Sequence, residues 1–225
     1  MARFKRLDVL NSMVEVGVIP VFYNGDLEIA REIVRACRKG GAKCIEFTNR
    51  GDHAFEIFSA LESEMAREDP GVILGVGSVL DSGTASIYIN AGASFVVGPV
   101  FNPEVARVCN RRKIAYSPGC GSVSEISAAE EMGCEIIKIF PGGQVGGPAF
   151  VKAVMGPMPW TSLMPTGGVD TTEESVEAWI GAGCVCLGMG SKLITKELVA
   201  ARDWDKIAEN VARTIELIKK AREGK

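Results

Sequence analysis

Short apolar runs recur at regular spacing along the chain. They begin near Val16 (VGVIPVF), Ala42 (AKCIEFT), Gly71 (GVILGVG), Ala93 (ASFVVGP), Lys113 (KIAYSPG), Cys134 (CEIIKIFP), Thr161 (TSLMPTGG) and Cys184 (CVCLGMG). Each is continuous rather than alternating and is followed by Gly, Pro or polar residues, which is how strands buried on both faces of a parallel sheet read. Between the runs lie amphipathic stretches such as LEIAREIVRACRKGG, HAFEIFSALESEMARE and TEESVEAWIGAG, which read as helices. Glycines ahead of several strands suit helix C-caps. The pattern predicts eight βα units, preceded by a helix near residues 3–14 and closed by one near 203–222.

Eight such units in 225 residues predict a TIM (β/α)8 barrel with an additional N-terminal helix. An open doubly wound sheet competes, but no GxGxxG opens the first helix and the repeats are regular. No linker, low-complexity segment or shift in composition divides the chain, so one domain over residues 1–225 is expected.

Composition narrows the function classes. A formal charge of −3 with mixed signs makes no electrostatic case for nucleic acid or membrane binding. The cluster Arg111-Arg112-Lys113 reads as a solvated turn. No apolar stretch approaches transmembrane length, and MARFKRLDVLNSM lacks a signal-peptide hydrophobic region. Seven cysteines, an odd number without a CxxC pair, predict reduced core thiols in a cytoplasmic protein. Cys184 and Cys186 are expected on one face of a strand, and no metal site is expected there. The only histidine, His53, excludes chemistry that needs two and reads as a loop residue.

A barrel of this type works at the C-terminal ends of its strands, and two charges interrupt apolar runs close to those ends. Lys138 stands in Ile136-Ile137-Lys138-Ile139-Phe140, and Glu46 in Ile45-Glu46-Phe47. Burial lowers a lysine pKa, and a neutral lysine condenses with carbonyls to a Schiff base. With Glu46 as general acid/base the two match nucleophile and proton carrier; a buried Glu–Lys ion pair, or a snorkelling lysine, is the structural alternative. Arg50 stands at the rim, where a guanidinium can hold a carboxylate or simply face solvent. Gly167-Gly168 and Gly190-Ser191 end the last two strands, where many TIM barrels bind phosphate on backbone N–H groups.

Over nearly its whole length the chain resembles the 2-keto-3-deoxy-6-phosphogluconate / 4-hydroxy-2-oxoglutarate aldolases. The matching segments are IEFTNR, GVGSVL, YSPGCGSVSE, KIFPGG followed by GGPAFVKAVMGP, PTGGV and GMGSKL. The resemblance implies that Lys138 is the Schiff-base lysine and Glu46 the general acid/base. It implies that Arg50 holds the keto-acid carboxylate with help from Ser78, and that Thr166 contacts substrate near the imine. Phe140 and Pro99 would line the pocket. Gly167, Gly168, Gly190 and Ser191 would hold a phosphate, with the helix after the eighth strand adding its dipole. No metal or organic cofactor is implied, and a homotrimer is. Many relatives carry an arginine just after the first strand, where this chain has Tyr23-Asn24, which leaves the choice among keto acids open.

The expected reaction is cleavage of 2-keto-3-deoxy-6-phosphogluconate, or a close phosphorylated keto-deoxy sugar acid, to pyruvate and glyceraldehyde 3-phosphate. Its galactonate counterpart and 4-hydroxy-2-oxoglutarate are the alternative substrates. A phosphosugar epimerase or isomerase on the same scaffold is the reading from another class, and a non-catalytic sugar-phosphate binder a third. Lys138 in the sixth strand and the near absence of histidine weigh against the second, and the set Glu46, Arg50 and Lys138 against the third.

Overall fold

The structure, a computed structural model, describes residues 3–224. Met1, Ala2 and Lys225, the outermost residues of the expected domain, lie outside the described residues. Helix α1 (Arg6–Val16) leads into β1 (Val18–Phe22), α2 (Leu27–Lys39), β2 (Cys44–Thr48), α3 (Ala54–Glu68), β3 (Ile73–Gly77), α4 (Ser82–Asn90), β4 (Phe95–Val97) and α5 (Pro103–Arg112). The second half runs β5 (Ala115–Ser117), β6 (Gly119–Cys120), α6 (Val123–Glu131), β7 (Ile136–Ile139), α7 (Gly147–Met155), β8 (Ser162–Pro165), α8 (Glu173–Ala182), β9 (Leu187–Met189), α9 (Lys196–Ala200) and α10 (Trp204–Glu223).

The strands form a six-stranded ladder, β5-β4-β3-β2-β1-β9, and a three-stranded one, β6-β7-β8. Every pairing is parallel. The run predicted as one fifth strand is two strands, because Pro118 between them has no N–H to give a ladder. β5 pairs with β4 and β6 with β7, so this single run passes from one ladder to the other. On the far side a parallel bridge between Thr166, just past β8, and Gly188, in the middle of β9, joins the two ladders.

Continuous apolar strands have two buried faces, and the core divides accordingly. One face packs under the helices, with Val18, Ile45, Phe47, Ile137 and Leu187 among its residues. The other face gathers Ile19, Cys44, Ile73, Phe95, Ile136, Met164 and Cys186, and α1 closes it with Val9, Leu10 and Met13. Two guanidinium groups tie α1 down. Arg6 donates to Asn110 Oδ1 at 2.7 Å and pairs with Glu135, and Arg222 of α10 donates to the carbonyls of Val14 and Glu15 at 2.7 and 3.0 Å.

The capping chemistry is local. Asp26, Asp81, Asn102, Ser122 and Thr172 accept from the first-turn N–H groups of α2, α4, α5, α6 and α8. Arg111 and Arg112 belong to the last turn of α5 and Lys113 caps it, all three exposed, rather than forming a separate turn.

One cysteine expectation is overturned. Cys184 and Cys186 precede β9 instead of lying on it, and they enter different cores, Cys184 under the helices and Cys186 on the inner face. The even spacing argument applies only to extended strand. All seven cysteines are buried, and burial pushes the thiols of Cys37, Cys44, Cys109, Cys120 and Cys134 up to about 12.

Candidate active site

Side-chain alternation fixes where the two strand charges point. On β2, Cys44 belongs to the inner core and Ile45 and Phe47 to the outer one, so Glu46 and Thr48 face inward with Cys44. On β7, Ile136 is inner and Ile137 and Ile139 are outer, so Lys138 faces inward as well. Both charges are sealed from solvent, Glu46 at 1% and Lys138 at 4% exposure. Burial pushes the Glu46 carboxyl above the usual carboxylate range, against the opposing pull of Lys138 and Arg50. Burial lowers the Lys138 ammonium, with Glu46 opposing and Arg50 reinforcing the fall. Each group is driven toward its neutral form. The Lys138 Nζ also lies 4.7 Å from the centre of the Phe140 ring.

Space for Glu46 comes from β3. Thr48 pairs with Gly77 across the ladder, and a Cβ on Gly77 would collide with Glu46 Oε1. At the next residue, Ser78 adopts a left-handed backbone (φ 61), uncommon for a residue with a side chain and characteristic of constrained sites. Its hydroxyl accepts from Arg50 Nε at 3.1 Å, which joins the ends of β2 and β3. Asn49 is held below by its own N–H to the Gly77 carbonyl at 2.9 Å and by Tyr88, whose hydroxyl donates to Asn49 Oδ1 at 2.9 Å.

The C-terminal ends of the strands open into a cleft of about 1000 Å³. Thr48, Arg50, Phe140, Thr166, Gly190 and Ser191 are among its walls. Gly167 and Gly168 also line it and adopt φ of 82° and 80°, a conformation open to glycine. The carbonyls of Thr166 and Gly167 accept from the N–H groups of Gly142 and Gly143 at 2.9 and 3.0 Å, and that of Gly168 from Trp179 Nε1 at 3.3 Å. The Gly190 carbonyl accepts from Leu193 and Ile194, both at 2.9 Å. Carbonyls are thus occupied, while the N–H groups of Gly167, Gly168, Gly190 and Ser191 find no acceptor among the described residues. Unused N–H groups on converging glycine turns suit an anion. Lys192 adds an ammonium, paired with Asp170 across the two loops at 3.3 Å.

Other expected residues stand differently. Pro99, like Glu46, Lys138 and Ser78, stands outside the residues that wall this cleft, and its carbonyl packs on Gly119 where β4 and β6 come close. The helix after the last full strand, α9, begins only at Lys196, with Thr195 capping its own first turn, and has five residues. So short a helix, set back from Gly190, contributes little dipole to the glycine turns. His53 is exposed at the start of α3 beside Glu56. Tyr23, at the end of β1, lies against Gly51 and edge-on to Phe47, with ring centres 5.6 Å apart. Among the described residues no group of three His, Cys, Asp or Glu side chains is placed to hold a metal ion.

Three residues of the matching segments receive no role from the sequence: Gly77, which admits Glu46; Gly188, whose Cβ would meet Thr166 Oγ1; and Thr48. The inward alternation of β2 and β3 carries the signal for Gly77 and Thr48.

The family model for KDPG and KHG aldolase matches residues 9–210. The chain belongs to that family. A 2-dehydro-3-deoxy-phosphogluconate aldolase of Treponema pallidum is 31% identical over 94% of this chain and 98% of its own. A KHG/KDPG aldolase of Escherichia coli K12 is 28% identical over 88% of this chain and 91% of its own. Among solved structures, a KDPG aldolase of Legionella pneumophila superposes with a TM-score of 0.80 at 28% identity, over 89% of this chain and 96% of that one. That crystal structure holds pyruvate captured as a covalent carbinolamine. Among the described residues no helix is long and apolar enough to cross a membrane.

Proposed function

We propose that this chain is a Schiff-base aldolase, a carbon–carbon lyase that cleaves 2-keto-3-deoxy-6-phosphogluconate to pyruvate and glyceraldehyde 3-phosphate. The observation that carries the reading is the inward pair of Lys138 and Glu46, both pressed toward neutrality beneath a cleft that ends in glycine turns. Neutral Lys138 attacks the C2 carbonyl, and the neutral Glu46 carboxyl gives its proton to the departing water, which leaves Glu46 ionised beside a protonated imine that withdraws electrons from C3. Glu46, as carboxylate, takes the C4 hydroxyl proton while the C3–C4 bond breaks. The enamine is then protonated at C3, and hydrolysis frees pyruvate and Lys138. The iminium is itself the electron sink, so the scheme uses no metal or organic cofactor.

Arg50, oriented by Ser78, holds the C1 carboxylate. Thr166 contacts the substrate near the imine, Phe140 and Pro99 shape its surroundings, and Gly167, Gly168, Gly190 and Ser191 receive the phosphate. We further read the two ladders as one closed (β/α)8 barrel, supported by the passage through Pro118 and the Thr166–Gly188 bridge. One domain over residues 1–225, located in the cytoplasm, completes the reading. A homotrimer is the assembly that the family resemblance implies, and equilibrium sedimentation at the trimer mass checks it.

Borohydride with pyruvate tests the central step. A reduced pyruvyl adduct on the peptide containing Lys138 is expected, and an adduct on another lysine, or none, rejects it. Catalytic efficiency on the phosphorylated gluconate and galactonate acids and on 4-hydroxy-2-oxoglutarate then assigns the substrate.

A further inference from the structure

Three inward side-chain oxygens at the strand ends have no hydrogen-bond partner among the described residues: Glu46 Oε2, Thr48 Oγ1 and Thr166 Oγ1. The proposed reaction uses Glu46 and Thr166 and leaves Thr48 without a task. Yet Thr48 is only 2% exposed and is a wall of the cleft. It stands two residues beyond Glu46 on the inner face of β2, about 6–7 Å closer to the mouth, and two residues before Arg50. An unpaired buried hydroxyl is unfavourable, and valine has the same shape with a better fit to a buried strand. The neighbouring inward positions nearer α1 are apolar, Cys44, Ile73 and Ile136 among them. Two further unpartnered hydroxyls, Ser94 and Thr161, precede β4 and β8 at the opposite strand ends, away from the cleft. Thr48 therefore combines burial, an open hydrogen-bonding valence and a cleft-facing position between two groups of the reaction.

We propose that the Thr48 hydroxyl contacts the bound keto acid between Glu46 and Arg50 and orients it for attack by Lys138. The inference rests on the aldolase reading and adds a substrate-contacting residue to it.

Thr48→Val and Thr48→Ser decide the matter, with Ser94→Ala as a control away from the cleft. Thermal unfolding, kcat and KM on 2-keto-3-deoxy-6-phosphogluconate, and the rate of borohydride trapping with pyruvate are measured for each. Thr48→Val is expected to unfold at or above the parent temperature while kcat/KM falls roughly tenfold or more, the loss of one substrate hydrogen bond. Trapping should slow, and Thr48→Ser should recover most of both rates. Ser94→Ala should leave the kinetics as they are. A Thr48→Val protein with parental kcat/KM overturns the proposal, as does one that loses activity only along with stability, or one that fails to fold. If the parent neither traps pyruvate nor cleaves the sugar acid, the aldolase reading falls and Thr48 with it. A parent that does both, beside an indifferent Thr48→Val, rejects this inference alone.

Discussion

The two ends of the strand array use one inner face for opposite purposes. Toward the N-terminal ends, Cys44, Ile73, Ile136 and Met164 meet Val9, Leu10 and Met13 of α1 in a dry apolar plug. Two to four residues further along the same strands, the inner face carries Glu46, Thr48, Lys138 and Thr166, several with buried polar atoms left unpartnered. The first end is built for stability, and the second carries groups that cost stability. Substitutions should therefore separate the two, with stability and turnover moving independently.

The largest effect is expected at Lys138. Lys138→Met should remove turnover by a factor on the order of 10⁴–10⁶, as loss of a covalent nucleophile does, and abolish pyruvate trapping, while thermal unfolding shifts upward at neutral pH. The sign follows from its lowered pKa. The ammonium is disfavoured in the folded state, so the penalty is full below the folded pKa and is relieved as pH rises toward the unfolded value near 10.5. For the same reason the trapping rate in the parent should rise with pH and reach its midpoint below 10.5. A Lys138→Met protein that is less stable than the parent would make the lysine part of the plug's architecture.

Glu46→Gln comes next, with turnover down about 10²–10⁴-fold for a lost proton carrier and a slower but detectable pyruvate adduct. Near-parental turnover would assign this carboxyl to structure. Its raised pKa has its own consequence: the stability it contributes is present below the ordinary 4.5 and declines as pH rises through the folded value. Gly77→Ala should act through Glu46, since the new Cβ occupies the place of its carboxyl. Turnover should drop up to about 100-fold, the scale of an ångström's misplacement, and kinetics of a Gly77→Ala/Glu46→Gln double variant should match those of Glu46→Gln.

Gly190→Val sharpens the comparison within the cleft. Its Cβ would lie 3.3 Å from the Val21 carbonyl, so the turn must shift. Efficiency on the phosphorylated acid should fall roughly 10–100-fold relative to 4-hydroxy-2-oxoglutarate, the loss of a hydrogen bond to a charged group. Equal losses on both substrates would remove the phosphate from these turns. At the opposite end Met13→Ala should leave kcat and KM unchanged while costing about 2–5 kcal/mol of stability in denaturant titrations.

Much of this arrangement is legible in the chain itself. Continuous apolar runs separated by amphipathic stretches determine parallel strands between helices, because a strand covered on both faces has no polar side to show. A charge inside such a run, Lys138 or Glu46, announces a group whose ionisation burial will disturb, and the glycines after the last strands, Gly167-Gly168 and Gly190, announce turns that leave N–H groups accessible. Periodicity does not carry pairing between distant segments. Only the tertiary structure decides that Pro118 breaks one run into two strands on different ladders, that Cys184 and Cys186 part into separate cores, and that Gly77 lies beneath the Glu46 carboxyl. These facts depend on which atoms meet across the sheet. A pattern read along one strand records which faces are buried, and the identity of the neighbour that buries each face comes from the register of another.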